Sequence, residues 1–511
     1  MFALLAVFAI PILCMPLVYF TGKKSSKAAA IFVALIALVN ILLILTTVPT
    51  VLNSPTHRYV EPYTWISVIN TSFTLFTDGI SVSVALVSLA LIVAAALFSI
   101  NYMAAKKHLA VYYALLCVLS VGVVGVFLTS NLLLFYFFWE LMLIPAYFII
   151  GEWGYKDSYK QAFKFFIYMH AGAVFVLLGI GATYVATGAT DMFTAETALL
   201  TASPTLVKWI LIALTAGFAV KMAVIPVHMW LPDAHSEAPA PMSSLLSGII
   251  ISAGAYAILR LSLGMVFPAV GITFGTNFLY AVAIIGVLSA FFGSLIALVS
   301  TDIKRLIAYS SIAHMGYIMF GLSLFPANVA AGTAVILVSS LAITGTVLHI
   351  VGHAVSKGLL FLTAGGVMHQ TEKRDIRKMG GLAGKMPFTA VSSTIAALSI
   401  GGAPPFACFI SEFLIFVGAF QVIKTDGFYI VPTALMLVAT VISLGYMLRF
   451  TSKIYLGQPA AEELAEGGEP KKVVDVSNYM KLSLAILVVL VVLVGIYPTF
   501  FLNLIQTVRF G

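Results

Sequence analysis

Fourteen apolar runs, most of them about 20 residues or longer, follow one another along this chain with little polar sequence between them. At a rise of 1.5 Å per residue, about 20 helical residues cross the ~30 Å hydrocarbon layer of a bilayer. Hydrocarbon offers no partner to a free N–H or C=O, so a chain immersed in it closes its own backbone hydrogen bonds, as helices do. The sequence therefore predicts an all-α polytopic membrane protein. Its spans fall near 2–20, 29–52, 79–99, 109–128, 131–151, 162–187, 207–231, 241–263, 276–300, 304–325, 328–367, 386–423, 428–455 and 479–506. No stretch between them is long enough to form a soluble domain.

A net charge of +8 would suit nucleic acid, but the distribution of the charges points elsewhere. Of the 27 Lys and Arg, 20 lie in loops after odd-numbered spans, five lie at the opposite ends, and Lys221 and Lys357 lie inside spans. This asymmetry is the positive-inside signal. It predicts cytoplasmic odd loops, both termini outside, and an energy-coupling membrane such as a prokaryotic plasma membrane. The first run has no basic flank ahead of it and meets Lys23, Lys24 and Lys27 after it. It reads as a retained helix rather than a cleaved leader.

The cysteines Cys14, Cys117 and Cys408 stand apart, each within an apolar run. Neither a CxxC pair nor a GxxxxGK[ST] loop occurs, so the sequence supports no metal, iron–sulfur, disulfide or ATP site. No cofactor is expected in this chain. Its energy would come from an ion gradient or from a partner.

Two spans are interrupted. The seventh carries Pro226 and Pro232 within 223–235, and the twelfth carries Gly401, Gly402, Pro404 and Pro405 within 399–413. Each is the fourth member of a five-helix run, helices 4–8 and helices 9–13. Interrupted helices at matching places mark a transporter built from repeats. Five is odd, so the two repeats would be inverted. The predicted organisation is helices 1–3 in 1–108, the first repeat in 109–263, the second in 264–456, and a linker with helix 14 in 457–511. Glu462, Glu463, Glu466 and Glu469, beside Lys471 and Lys472, read as a solvated linker.

An ion at the bilayer centre costs about 2.5–3.5 kcal/mol even on lenient insertion scales, so titratable residues within spans point to a polar interior and an ion path. Glu140 and Lys221 are the candidates of the first half. Paired, they form a proton holder whose state can switch, or a structural ion pair. His349, His353 and Lys357 follow an i, i+4, i+8 spacing and so line one stripe of a helix, a pattern suited to a proton relay. His314, near Ser310 and Ser311, can join that line. Glu412 follows the second break and suits a proton exit, or snorkels to an interface. His228 sits at the first break. His170 reads as a hydrogen-bonded structural residue, and Asp302, Lys304 and Arg305 as topological anchors on a short loop.

The segments FAVKMAVIPVHMWLPDAHSEAPAPMSSLLSG, STDIKRLIAYSSIAHMGY, HAVSKGLLFLTAGG and GGAPPFACFISEF resemble, in order and spacing, the antiporter-like membrane subunits of respiratory complex I. FFWELMLIPAYFIIGEWG resembles the fifth helix of the subunit M (chain 4) type. The resemblance covers about residues 75–455. It implies 14 helices, two inverted five-helix repeats, and one proton pathway. Position by position it implies a Glu140–Lys221 pair, a hydrated axis at His314, His349, His353 and Lys357, and a terminal Glu412. The family often carries Lys or His in helix 8, where this chain has Ser252, which can hold water but stores no proton. The chain also stops soon after helix 14, without the long lateral helix expected of subunit L.

Taken together, the expected function is a proton-translocating subunit of a complex I-type oxidoreductase. Flavin, iron–sulfur and quinone would belong to membrane and peripheral partner subunits. The alternatives are a subunit of a multisubunit sodium/proton antiporter, the membrane arm of a hydrogenase, or a scaffold.

Overall fold

A computed structural model describes residues 2–69, 71–326, 336–337, 341–458 and 473–510. The charged linker at 459–472 and the first residues of the predicted eleventh span lie outside the described residues.

Among the described residues, 13 helices are long and apolar enough to cross a membrane. In chain order the first eight are Ala3–Lys24, Ser26–Asn53, Gly79–Tyr102, Leu109–Leu128, Leu132–Trp153, Ser158–Thr187, Pro204–Met222 and Ala240–Ala269. Ile272–Val299, Ile303–Ser323, Leu341–Thr371, Gly427–Tyr455 and Asn478–Ile496 are the ninth, tenth, eleventh, thirteenth and fourteenth. The twelfth is divided into Pro387–Ile400 and Ala407–Ile423. The third, eighth, tenth and eleventh spans are almost wholly buried, and the first and thirteenth are mostly exposed. Apolar on all sides, the central helices take the core of the bundle, and the titratable stripe lies at that core.

Both predicted breaks are present, the second being the gap that divides the twelfth span. Helix 7 stops at Met222, and Ala223 turns left-handed with φ +59°. The freed amide of Ile225 donates to Ser289 Oγ of helix 9 at 2.9 Å, and Trp230 Nε1 donates to the Val220 carbonyl at 3.0 Å. The chain then resumes as a short helix, Leu231–Glu237. In helix 12 the turn after Ile400 is made by Gly402 at φ +69°. Protein groups thus satisfy the backbone freed by each break, as hydrocarbon cannot.

Helix 8 is irregular in another way. Two π-helical stretches, Leu246–Ile250 and Ile258–Val266, flank the α-helical segment that carries Ser252. Such wide turns are frequent at functional sites.

The all-α expectation holds for the spans but misses a β-hairpin in the loop between helices 2 and 3. Tyr59–Ile66 pairs antiparallel with Thr71–Thr77, both rich in aromatic and β-branched residues. The hairpin caps helix 1, which makes no side-chain cap of its own. Glu61 accepts from the first-turn amides of Leu4 (3.1 Å) and Leu5 (3.0 Å), and from the hydroxyls of Tyr59 (2.7 Å) and Tyr63 (2.9 Å). Next to it, Asp78 caps helix 3 through Ile80 N and Ser81 N, and also pairs with buried Arg260 at 2.6 Å.

Candidate proton pathway

In the first half, Lys221 ends the unbroken part of helix 7. It is 3% exposed, donates to the Trp139 carbonyl at 3.0 Å, and lies 3.6 Å from the centre of the Trp139 ring. A cation over an indole face gains about 0.5–2 kcal/mol. Glu140, the expected partner, makes no ion pair with Lys221. Its carboxylate turns instead to His170 Nδ1, 3.5 Å away, whose ring stacks on Phe166. One helix thus offers both the carbonyl that holds the lysine and, one residue on, a carboxylate that contacts His170. His228 lies in the broken turn, half-buried, with Nδ1 lacking a hydrogen-bond partner among the described residues.

Helix 8 joins the halves. Gly254 packs so closely on helix 7 that a Cβ there would lie 2.7 Å from Met222 N. One face along, Ser247 Oγ and Ser311 Oγ of helix 10 share a hydrogen bond of 2.8 Å. Ser252 lies between these two contacts, fully buried, with its hydroxyl lacking a protein partner among the described residues. Buried hydroxyls are rarely left so, and a site of this kind takes water.

The second half holds most of the predicted stripe together. Lys357, fully buried on helix 11, donates to Ile307 O at 3.2 Å and to Ser310 Oγ. One turn away is His353, fully buried, with neither ring nitrogen bonded among the described residues. A further turn on, His349 Nε2 and His314 Nδ1 share a hydrogen bond of 3.1 Å, and the two rings stack with centroids 5.3 Å apart. His349 Nδ1 meets Ser411 Oγ at 2.8 Å, and Ser411 adjoins Glu412. One nitrogen of His314, one of His349 and one Glu412 oxygen lie within 4.8 Å of one another. That spacing is short enough to be spanned by one or two hydrogen bonds. The same three donors are also spaced to hold a metal ion.

Glu412 is 7% exposed. Its carboxylate rests against the backbone of the second break, where a Cβ on Gly402 would stand 2.6 Å from Oε2. A cavity of about 370 Å³, lined by Glu412, Gly401, Gly402, Phe413 and Val441, opens beside it on the flank of the bundle. Phe413 and Val441 are exposed there.

Three features of the site escaped the sequence reading. Trp139 holds Lys221 through a carbonyl, which no residue type announces. Lys304 is not a solvated anchor but fully buried, donating to the Ala238 carbonyl at 2.5 Å. His235, in the short helix after the first break, is fully buried and stacked on Phe361.

Two halves, each with a broken helix, surround a buried series of titratable side chains. This defines the class of antiporter-like membrane subunits. Residues 129–443 match the family model described as NADH:quinone oxidoreductase/Mrp antiporter, TM. The chain belongs to this family. It is 33% identical over 495 residues to NADH-quinone oxidoreductase subunit M of Rickettsia prowazekii, covering 95% of this chain and 93% of that one. It is 35% identical over 444 residues to subunit M of Escherichia coli K12, covering 85% and 81%. Its fold is similar to a chain of the archaeal membrane-bound sulfane sulfur reductase (TM-score 0.82, 26% identity, 97% of this chain and 76% of that one). It is likewise similar to a chain of respiratory complex I from Thermus thermophilus (TM-score 0.81, 22% identity, 99% and 98%).

Proposed function

We propose that this chain moves protons across an energy-coupling membrane, driven by partner subunits that pass electrons from NADH to a quinone. Flavin, iron–sulfur and quinone chemistry belongs to those partners, and no redox centre is assigned to this chain. The odd-numbered loops face the cytoplasm and both termini face outside. The two repeats, 109–263 and 264–456, each provide half of the path, helices 1–3 in 1–108 brace it, and 457–511 adds the linker and helix 14.

The observation that carries this reading is the state of the two lysines. Lys221 and Lys357 are both buried, and neither forms an ion pair among the described residues. A buried ammonium with no carboxylate in direct contact carries a large desolvation cost. Such a group suits transient protonation. Glu140 alternates between His170 and Lys221. With Glu140 near, Lys221 holds a proton; with Glu140 on His170, it releases one. Water at His228 and Ser252 and the Ser247–Ser311 bridge carry the charge change to Lys357. The His353, His349 and His314 line then passes a proton to Glu412, which discharges it outward.

The test is the assembled complex in sealed vesicles. Lys221→Ala and Glu412→Ala should each assemble and transfer electrons, with proton uptake per electron reduced. An unchanged ratio in both would refute the assignment. Sodium-dependent uptake in place of proton uptake would favour an antiporter instead.

A further inference from the structure

The path above enters through Lys221, yet the structure holds a second set of buried polar groups that this route does not use. We propose that Lys304 and His235 form a separate loading arm, carrying protons from the cytoplasmic face directly to Lys357. The inference rests on the proton-translocating reading of the preceding subsection.

The arm begins at a cavity of about 590 Å³ lined by Tyr102, Lys106, Tyr155, Glu372 and Arg374. Tyr102, Lys106, Tyr155 and Arg374 come from three odd-side loops or their edges, so the cavity lies on the cytoplasmic face. The Tyr102 and Tyr155 hydroxyls share a hydrogen bond of 2.6 Å at its floor. Lys304 Nζ stands 5.2 Å from the Tyr155 ring. Its neighbouring carboxylates are engaged elsewhere: Arg374 binds Asp302 at 2.9 Å and Glu237 at 3.3 Å. Among the described residues, the hydrogen-bond acceptor of Lys304 Nζ is the Ala238 carbonyl, at 2.5 Å.

Ala238 ends the short helix that carries His235. The His235 ring stacks on Phe361 with centroids 4.5 Å apart and planes 8° from parallel. Phe361 is one helical turn beyond Lys357. His235 is 0% exposed, and neither of its ring nitrogens has a hydrogen-bond partner among the described residues. Ser244 Oγ and both nitrogens of His353 are in the same state. An unmade bond on a buried polar atom costs about 1–3 kcal/mol, and several together call for an explanation. Ser244 Oγ lies 3.1 Å from where a Cβ on Gly358, the neighbour of Lys357, would stand, and Lys304 is held by the carbonyl at the end of the His235 helix. Bridging water between them completes a continuous donor–acceptor chain. The step is simple proton exchange: Lys304 gives up a proton to His235 and regains one from the cavity, while His235 passes its proton to Lys357.

Two substitutions keep the packing but remove the exchange. Lys304→Arg retains the charge and the bond to Ala238 O, but a guanidinium does not deprotonate in a protein. His235→Phe retains the stack on Phe361 and carries no proton. Both are made in the full complex, checked for assembly on native gels, and compared in vesicles with Lys221→Ala and Glu412→Ala. The arm predicts that Lys304→Arg and His235→Phe lower protons per electron as far as Glu412→Ala does. If either pumps at the wild-type ratio while Lys221→Ala and Glu412→Ala do not, the arm is overturned and the proposed function stands. If all four pump normally, both readings fail.

Discussion

Gly402 offers a way to move the terminal carboxylate without changing it. Its φ of +69° lies in the left-handed region, where a side chain costs about 1–2 kcal/mol. Gly188, at the end of helix 6, has the same φ of +69° and nothing within 4 Å of where a Cβ would stand. Gly188→Ala therefore measures the backbone cost alone. At Gly402 the new Cβ would meet Glu412 Oε2 at 2.6 Å, whereas ordinary contact begins at 3.4 Å, so the carboxylate retreats by about 0.8 Å. The end of a Glu side chain can make that move at little energetic cost, so the two variants should lose similar apparent thermal stability. Their transport should differ. A misplacement near 1 Å at a reacting group costs up to ~10²-fold in rate. In vesicles carrying the full complex, Gly188→Ala should pump at the wild-type rate and Gly402→Ala some tenfold to a hundredfold more slowly. Equal pumping by both would refute the idea that the second break sets the position of Glu412.

Two further outcomes follow from groups outside the path. Asp78 and Arg260 form a buried pair at 2.6 Å, so Asp78→Asn or Arg260→Met alone leaves the other buried charge without its opposite and should cost up to about 3–5 kcal/mol, read as a fall in apparent Tm. The double replacement should recover much of that loss. Burial works to raise the Glu61 pKa, but the hydrogen bonds from Tyr59, Leu4, Leu5 and Tyr63 outweigh it and hold the group below its ordinary value. A carboxyl depressed on folding stabilises above its unfolded pKa, near 4.3, and loses that contribution as pH falls through the folded value. Protection of the Leu4 and Leu5 amides, taken relative to the intrinsic exchange rate at each pH, should therefore fall as pH drops through the depressed Glu61 pKa, and Glu61→Gln should flatten that response.

The spans and both breaks were legible because their signals are local. A run of apolar residues has a length, and the clustered Pro and Gly of 223–235 and 399–413 mark breaks, whereas Pro11 and Pro16 leave helix 1 continuous. The stripe of His349, His353 and Lys357 was legible for the same reason, since the i+4 spacing is a property of one helix. What the sequence hid is the pairing between helices. Glu140 and Lys221 look like partners because each is the lone mid-span charge of its kind in the first half. The rotation of helix 5, however, presents the carbonyl of Trp139 to the lysine and the carboxylate to His170. His235 sits in PDAHSEAP, whose prolines and polar residues read as a loop, yet packing against Phe361 buries it completely. Lys304 looks solvated because its neighbours Asp302 and Arg305 are charged, but helix 10 turns it inward. The hairpin went unread because alternating Thr and aromatic residues between two membrane runs resemble ordinary loop sequence.

The cavity at the second break opens on the side of the bundle, between exposed Phe413 and Val441, rather than at its end. A chain standing alone in a bilayer would have that window sealed by acyl tails, which accept no proton. On the proposed path, Glu412 would then be stranded with no acceptor for its proton. On the proposed path, a neighbouring subunit that brings water or a polar group to the opening is what lets the charge depart, so conduction would begin only with assembly.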